Sequence, residues 1–275
     1  MKGFKRAVVV MVAAALLSAT AAFGAGLSTE SATITVTFED DTVTAECSTG
    51  KPVSGGFEAE DSDVSVISSA IASDGWALEA SSDDDMTDLT AYVHCAKGRK
   101  VTTQSASTNL GGDSIGSVTA RCEGRKKAAS GGFFGETGLL IAPFVVAHES
   151  RKSGARGWKV SAGNYGFVSG ELTAYVNCRK GKGLKSKSKS ITLDGGTATA
   201  SLGAKCKRGG RAISGGFAGQ VDSAFVADPP TGVGVRAYAS RRDGGRRWQT
   251  TAANAGEQDG SLTTYVYCQK KPRKK

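Results

Sequence analysis

Each of the three Trp residues sits in its own copy of one pattern, and each copy holds two of the six Cys. The first copy runs through Ala45-Glu46-Cys47, Ser54-Gly55-Gly56-Phe57, Trp76 and Leu89-Thr90-Ala91-Tyr92-Val93-His94-Cys95. The second runs through Ala120-Arg121-Cys122, Ser130-Gly131-Gly132-Phe133, Trp158 and Leu172-Thr173-Ala174-Tyr175-Val176-Asn177-Cys178. The third has Ala204-Lys205-Cys206, Ser214-Gly215-Gly216-Phe217, Trp248 and Leu262-Thr263-Thr264-Tyr265-Val266-Tyr267-Cys268. Self-similarity at this spacing marks a chain made of repeated supersecondary units. The module boundaries fall at 28–98, 99–182 and 183–275.

Within a module the pattern is that of strands. Leu89, Ala91, Val93 and Cys95 alternate with Thr90, Tyr92 and His94, a period of two that puts the apolar set on one buried face. The first Cys ends another strand. Ala32–Phe38 and Thr42–Cys47 flank Glu39-Asp40-Asp41 and read as a hairpin, and the plan repeats around Asp194-Gly195-Gly196. Two adjacent Gly inside a strand mark a bulge or a place where a bulky group crosses the backbone. The one Trp per copy supplies that group, so each ring is expected over its own Gly-Gly step near the disulfide, as in disulfide-centred sandwiches. Long helical periodicity is missing from the chain. The fold class is therefore all-β: three tandem small disulfide-stapled β-sandwich or small barrel modules.

Residues 1–24 read as a secretory signal peptide. Lys2, Lys5 and Arg6 precede an apolar run from Ala7 to Leu17 and then small residues, with cleavage points after Ala21 and after Gly24, within 21–26. Export makes the Cys residues legible as structural disulfides, and the repeats favour Cys47–Cys95, Cys122–Cys178 and Cys206–Cys268. Zinc is the weaker use, since there is no short Cys-x-x-Cys spacing and only His94 and His148. A unit of this length buries little surface on its own. A bridge closing so long a loop contributes about 4 kcal/mol in the chain-entropy model.

The combination of a first Cys, Gly-Gly-Phe, a Trp followed six residues later by Asn, and a closing Leu-Thr-Ala-Tyr-x-x-Cys resembles a module of secreted actinobacterial-type proteins. The resemblance spans nearly all of the mature chain. Asn164 and Asn254 match the expected Asn, whereas the first copy has Ser82. The resemblance implies fold and export and no settled activity.

Charge is where the copies diverge. The chain carries a formal net charge of +9, yet Lys51 and Lys97 are the only Lys or Arg of the acidic first module. The cations cluster in modules 2 and 3. Lys185, Lys187 and Lys189 alternate with Ser, Arg151, Lys152 and Arg156 precede Trp158, and Arg241, Arg242, Arg246 and Arg247 precede Trp248. A polybasic tail runs from Lys270 to Lys275. Such clusters attract polyanions with salt-dependent affinity. For a secreted protein the candidates are teichoic-type polymers, acidic polysaccharides, extracellular DNA and anionic lipid. The acidic module offers a second outcome, pairing with basic modules within a chain or head to tail between chains.

A catalytic module would repeat its acid, base or nucleophile. The shared polar residues are instead Ser54, Ser130 and Ser214, Thr90, Thr173 and Thr263, and the last-strand Tyr residues, with no recurrent His, Asp, Glu or Lys in the motif. Nucleophilic Ser needs a positioned base, and His148 has no counterpart in the other copies. Asp83-Asp84-Asp85, Asp88 and Glu58–Asp63 lack the order of a dedicated calcium loop. The sequence thus points to a secreted, non-catalytic protein without metal or cofactor that adheres to anionic polymer. A neutral-glycan lectin stacking sugars on Trp158, Trp248 and the Tyr residues is one alternative. A structural, self-assembling surface protein is the other.

Overall fold

The computed structural model describes residues 27–37, 40–82, 86–98, 101–137, 145–196, 198–221 and 234–270. The signal-peptide reading of 1–24, the Asp83–Asp85 run and the tail beyond Lys270 lie outside these residues. The described chain is all-β, six strands to a module. Module 1 contains β1 (Ser28–Val36), β2 (Asp41–Glu46), β3 (Lys51–Ala59), β4 (Val64–Ala72), β5 (Gly75–Ser82) and β6 (Thr87–Ala96). Module 2 contains β7 (Thr102–Leu110), β8 (Ser114–Arg121), β9 (Lys127–Thr137), β10 (Val145–Ser153), β11 (Gly157–Asn164) and β12 (Gly170–Arg179). Module 3 contains β13 (Lys185–Leu193), β14 (Ala198–Lys205), β15 (Gly210–Val221), β16 (Val235–Asp243), β17 (Arg247–Asn254) and β18 (Gly260–Lys270).

Each module is two facing layers, in module 1 β1-β6-β3 over β2-β5-β4. The layers do not end at the module. The three sheets run β1-β6-β3-β16-β17-β14, β2-β5-β4-β9-β12-β7 and β13-β18-β15-β10-β11-β8, so each joins half of one module to half of another. The exchange is cyclic, module 1 with 3, 2 with 1 and 3 with 2, which closes the chain around a pseudo-threefold axis. The junctions are short. Each is two register pairs: Ser240 and Ala239 with Phe57 and Glu58, Ser69 and Ser68 with Phe133 and Phe134, and Ser150 and Glu149 with Phe217 and Ala218.

The Ser-Gly-Gly-Phe step builds this junction, one residue to each task. The Phe57, Phe133 and Phe217 rings meet edge to face around the axis, with centroids 6.0–6.4 Å apart. The first Gly lies under its own Trp: a Cβ on Gly55 would stand 2.1 Å from the Trp76 ring. The second Gly admits the neighbouring module, since a Cβ on Gly56 would stand 2.3 Å from the Ser240 carbonyl oxygen. That neighbouring Ser is itself held, because Trp248 Nε1 donates to Ser240 Oγ at 2.9 Å and Trp158 and Trp76 do the same to Ser150 and Ser69. The motif Ser donates to the next module: Ser54 Oγ to Ile213 O at 2.6 Å, Ser130 to Val53 O at 2.7 Å, and Ser214 to Ala129 O. These acceptor residues are the extra residues of β-bulges, where the ladder is interrupted and the carbonyl is released for the neighbour.

The disulfides Cys47–Cys95, Cys122–Cys178 and Cys206–Cys268 form as the repeats predict, and each Trp lies over its Gly-Gly step, 2% exposed. The last-strand apolar face is buried, with Leu89, Ala91 and Val93 fully covered. The hairpin reading of the opening strands is corrected. β1 pairs with β6 and β2 with β5, so the two arms lie in different sheets and form an arch. Each arm finds a full-length ladder on a strand of its own layer, which a two-stranded hairpin would forgo. The Asn six residues after Trp has a definite task in modules 2 and 3. Asn164 Nδ2 donates to Leu110 O, Gly111 O and Val168 O, and its Oδ1 accepts from Gly166 N; Asn254 repeats the set. It ties the arch to the loop before the closing strand.

Candidate functional site

The cations singled out in the sequence divide into two groups. Most of the Arg side chains are engaged by neighbours within the fold, two of them across module junctions. Arg241 Nε pairs with Glu58 at 2.8 Å and its guanidinium lies over the Tyr92 ring, across the module 3–1 junction. Arg151 pairs with Glu149 and lies over Tyr265, across the module 2–3 junction. Arg156 and Arg246 donate to the carbonyls of Cys122 and Cys206, and Arg247 pairs with Asp243 at 3.1 Å. Arg242 is half-buried. Lys152 Nζ reaches Leu184 O at 3.1 Å, and its backbone N–H donates to Tyr267 Oη. By contrast Lys185, Lys187 and Lys189 are fully open, on the edge strand β13 whose residues 185–192 are all exposed. Such a stripe also keeps a bare sheet edge from pairing with another chain.

The arrangement of charge follows from strand direction. All neighbouring strands are antiparallel, so successive connections alternate between the two ends of the axis. Connections that follow even-numbered strands gather at the end carrying Cys47, Cys122 and Cys206, the cystine end. Their described residues include Lys97, Arg125, Lys126, Arg156, Lys180, Lys182, Lys207, Arg208 and Arg246 against Asp74 and Glu123. Connections that follow odd-numbered strands gather at the far end. Their described residues include Asp40, Glu60, Asp61, Asp63, Asp113, Asp194, Glu257 and Asp259, with no Lys or Arg among them. The dipole read along the chain is thus also a dipole along the axis, and modules 2 and 3 obey it as well as module 1.

A basin of about 740 Å3 opens at the cystine end. Its floor takes the bulge residues Val53, Ala129 and Ile213, one from each module, and Val101 lies beside them. Its wall carries Lys126, Arg179, Lys180 and Lys182, and no carboxylate is among the described residues that line it. Lys126 Nζ donates to Thr102 Oγ1 at 3.0 Å, and Arg179 Nη2 to Lys182 O at 2.7 Å. Sequence reasoning passed over these four cations because they straddle a closing Cys and two short loops with no run or period of their own. Only the axial closure brings them together.

The cystine end also shows the mark of crowded positive charge. Burial and the charges of Arg179 and Lys127 hold Lys152 below the ordinary lysine range. Burial and Arg211 pull Arg242 down to about 10. His94 is wholly buried, and burial with the nearby Arg242 pushes it to about 3. Among the described connections at this end only Asp74 and Glu123 carry a carboxylate. Glu149 is an exception inside the wall of module 2. Burial alone would raise it, but Lys159, Ser161 and Arg151 outweigh that and hold it below the usual carboxylate range.

The other candidate chemistries find their residues occupied. Ser54, Ser130 and Ser214 are buried and donate to carbonyls, so their hydroxyls are junction bonds. His148 is the extra residue of a bulge in β10. The faces of Trp158 and Trp248 that a lectin would need in solvent are covered, and Tyr92 and Tyr265 carry Arg over their rings. Among the described residues no three His, Cys, Asp or Glu side chains converge as a metal site. No protein-family model matches the chain, and no curated protein matches it.

Proposed function

We propose that the protein is a secreted, non-catalytic repeat protein that adheres to anionic polymers of the cell envelope or extracellular space through the basic surfaces of modules 2 and 3. The observation that carries this reading is the segregation of cations at the cystine end, whose described connections bring Lys97, Arg125, Lys126, Arg156, Lys180, Lys182, Lys207, Arg208 and Arg246 together against Asp74 and Glu123. A polyanion laid across that end supplies the missing counter-charge and releases its own counterions, a gain that falls steeply with salt. The exposed Lys185, Lys187 and Lys189 continue the basic surface along the edge of a sheet. Three disulfides suit the oxidising space outside the cell.

The test is retention of the oxidised protein on an anionic polymer and on a neutral polysaccharide across a salt series. Retention on the anionic polymer alone, falling with salt and lost in the triple variant Lys185→Glu, Lys187→Glu, Lys189→Glu, is the expected result. Equal retention on both matrices, or retention indifferent to salt, overturns the reading. A second reading, head-to-tail self-assembly, draws on the far end, whose described connections carry acids and no cations. It requires mass that rises with protein concentration at low salt and collapses to the monomer at high salt.

A further inference from the structure

The opening strands β1, β7 and β13 hold equivalent places, each at the outer edge of its sheet and paired on one side with the closing strand of its module. Their inward positions differ. Opposite the closing Cys and the residues two and four before it stand Ser28, Glu30 and Ala32 in module 1, and Thr102, Gln104 and Ala106 in module 2. In module 3 the same places hold Lys185, Lys187 and Lys189. Glu30 accepts from the N–H and hydroxyl of Ser48, and Gln104 from the N–H of Glu123, so both strands are tied to the loop after the first Cys. Lys187 has no acceptor for that bond. Glu30, Ala32, Gln104 and Ala106 are half-covered, whereas β13 is exposed from 185 to 192, with Ile191 open beside the lysines. Among the described residues no carboxylate pairs with any of the three.

The side of β13 that no described strand pairs offers backbone N–H and C=O groups as well as charge. A strand laid there bonds through its backbone, and its alternate side chains fall about 5 Å from the lysines. Lysines guard such an edge against neutral and basic strands, and the same repulsion becomes selection for an acidic one. A polysaccharide or nucleic acid meets the charge but has no use for the backbone edge. No described strand of this chain carries carboxylates at two alternate positions, so a second copy does not fit. We infer that β13 docks an extended acidic segment of another protein, with carboxylates at alternate residues opposite Lys185, Lys187 and Lys189 and an apolar residue opposite Ile191. This docking rests on β13 being part of the anion-binding surface and narrows the ligand of that strand to a polypeptide.

The test is calorimetric titration of the oxidised full chain with the capped peptide Val-Thr-Glu-Thr-Glu-Thr-Glu and its block isomer Val-Thr-Thr-Thr-Glu-Glu-Glu. The alternating peptide binds saturably, one per chain, and about tenfold more tightly than the isomer. N-methylation of one alternate set of its amides abolishes binding and of the other set leaves it unchanged, because an added strand pairs through one edge only. Lys187→Glu, at an exposed position, weakens the peptide by about tenfold, and amide exchange in the complex slows along β13. Polyphosphate titrated alongside separates docking from adhesion. Polyphosphate binding without saturable peptide binding overturns the docking and leaves adhesion standing, and the reverse outcome upholds the docking and removes adhesion. Equal affinity for the two isomers, or indifference to both methylation patterns, overturns the docking.

Discussion

At the scale of single residues, the two Gly of each motif are not equivalent. The first yields to a side chain of its own module, the second to the backbone of another. Gly132→Ala sets a Cβ 2.0 Å from the Ser69 carbonyl oxygen, and backbone on both sides leaves nothing to rotate away. It is expected to cost about 3 kcal/mol in denaturant unfolding. Gly154→Ala, at a left-handed turn with open space around it, costs about 1 kcal/mol for its φ alone. The position directly before the closing Cys holds His94, Asn177 or Tyr267, each buried. His94 meets the Trp248 ring edge to face, Tyr267 meets Trp158, and Asn177 donates to Ser130. Because His94 titrates at about 3 when folded and near its ordinary 6.5 when unfolded, its contribution to stability is whole above pH 6.5 and is lost as pH falls toward 3. The loss has a limiting slope of about 1.4 kcal/mol per pH unit. Unfolding free energies of the parent and His94→Asn, measured from pH 7 to pH 4, should differ in slope by this one proton.

At the scale of elements, the strands were legible because their faces alternate, and the opening hairpin was misread because alternation says nothing about the partner. Ile34 and Val36 face the same way whether β1 pairs with β2 or with β6, and the ladder to β6 is the longer. The disulfides were legible for a different reason: one early and one late Cys per copy leaves one pairing that respects the repeat. Each bridge ties the connection after the second strand to the end of the sixth, thus joining the two layers of a module. Cys122→Ala with Cys178→Ala opens a loop of 56 residues and is expected to lower stability by about 4 kcal/mol, read as a lower denaturant midpoint with a steeper slope, since the denatured chain is no longer cross-linked.

At the scale of the molecule, each sheet needs two modules, so no module can keep its layers complete alone. The Phe57, Phe133 and Phe217 rings form one contact set, and removing any one exposes the other two. Deleting module 3, residues 183–275, strips β16 from β3 and β15 from β10. The remaining chain is expected to show no cooperative transition, whereas the full oxidised chain unfolds in a single one, with Trp fluorescence and far-ultraviolet circular dichroism coincident. Independent transitions for separate modules would show that the shared sheets contribute little.

What the sequence by itself determined is everything that stays within one copy of the repeat: the strand faces, the disulfide pairing, and the Trp over its own Gly-Gly step. Those follow from local periodicity and from which residues occur once or twice per copy. The tertiary structure alone decided the cyclic exchange of layers, the junction roles of the motif Ser and second Gly, the basin and the polarity of the two ends. The reason is physical. A strand's side-chain pattern specifies its faces, while its hydrogen-bonding edges carry no side-chain signature, and the edges choose the partner. Once they had joined the three modules around an axis, the direction of each strand sent the basic loops to one end and the acidic loops to the other.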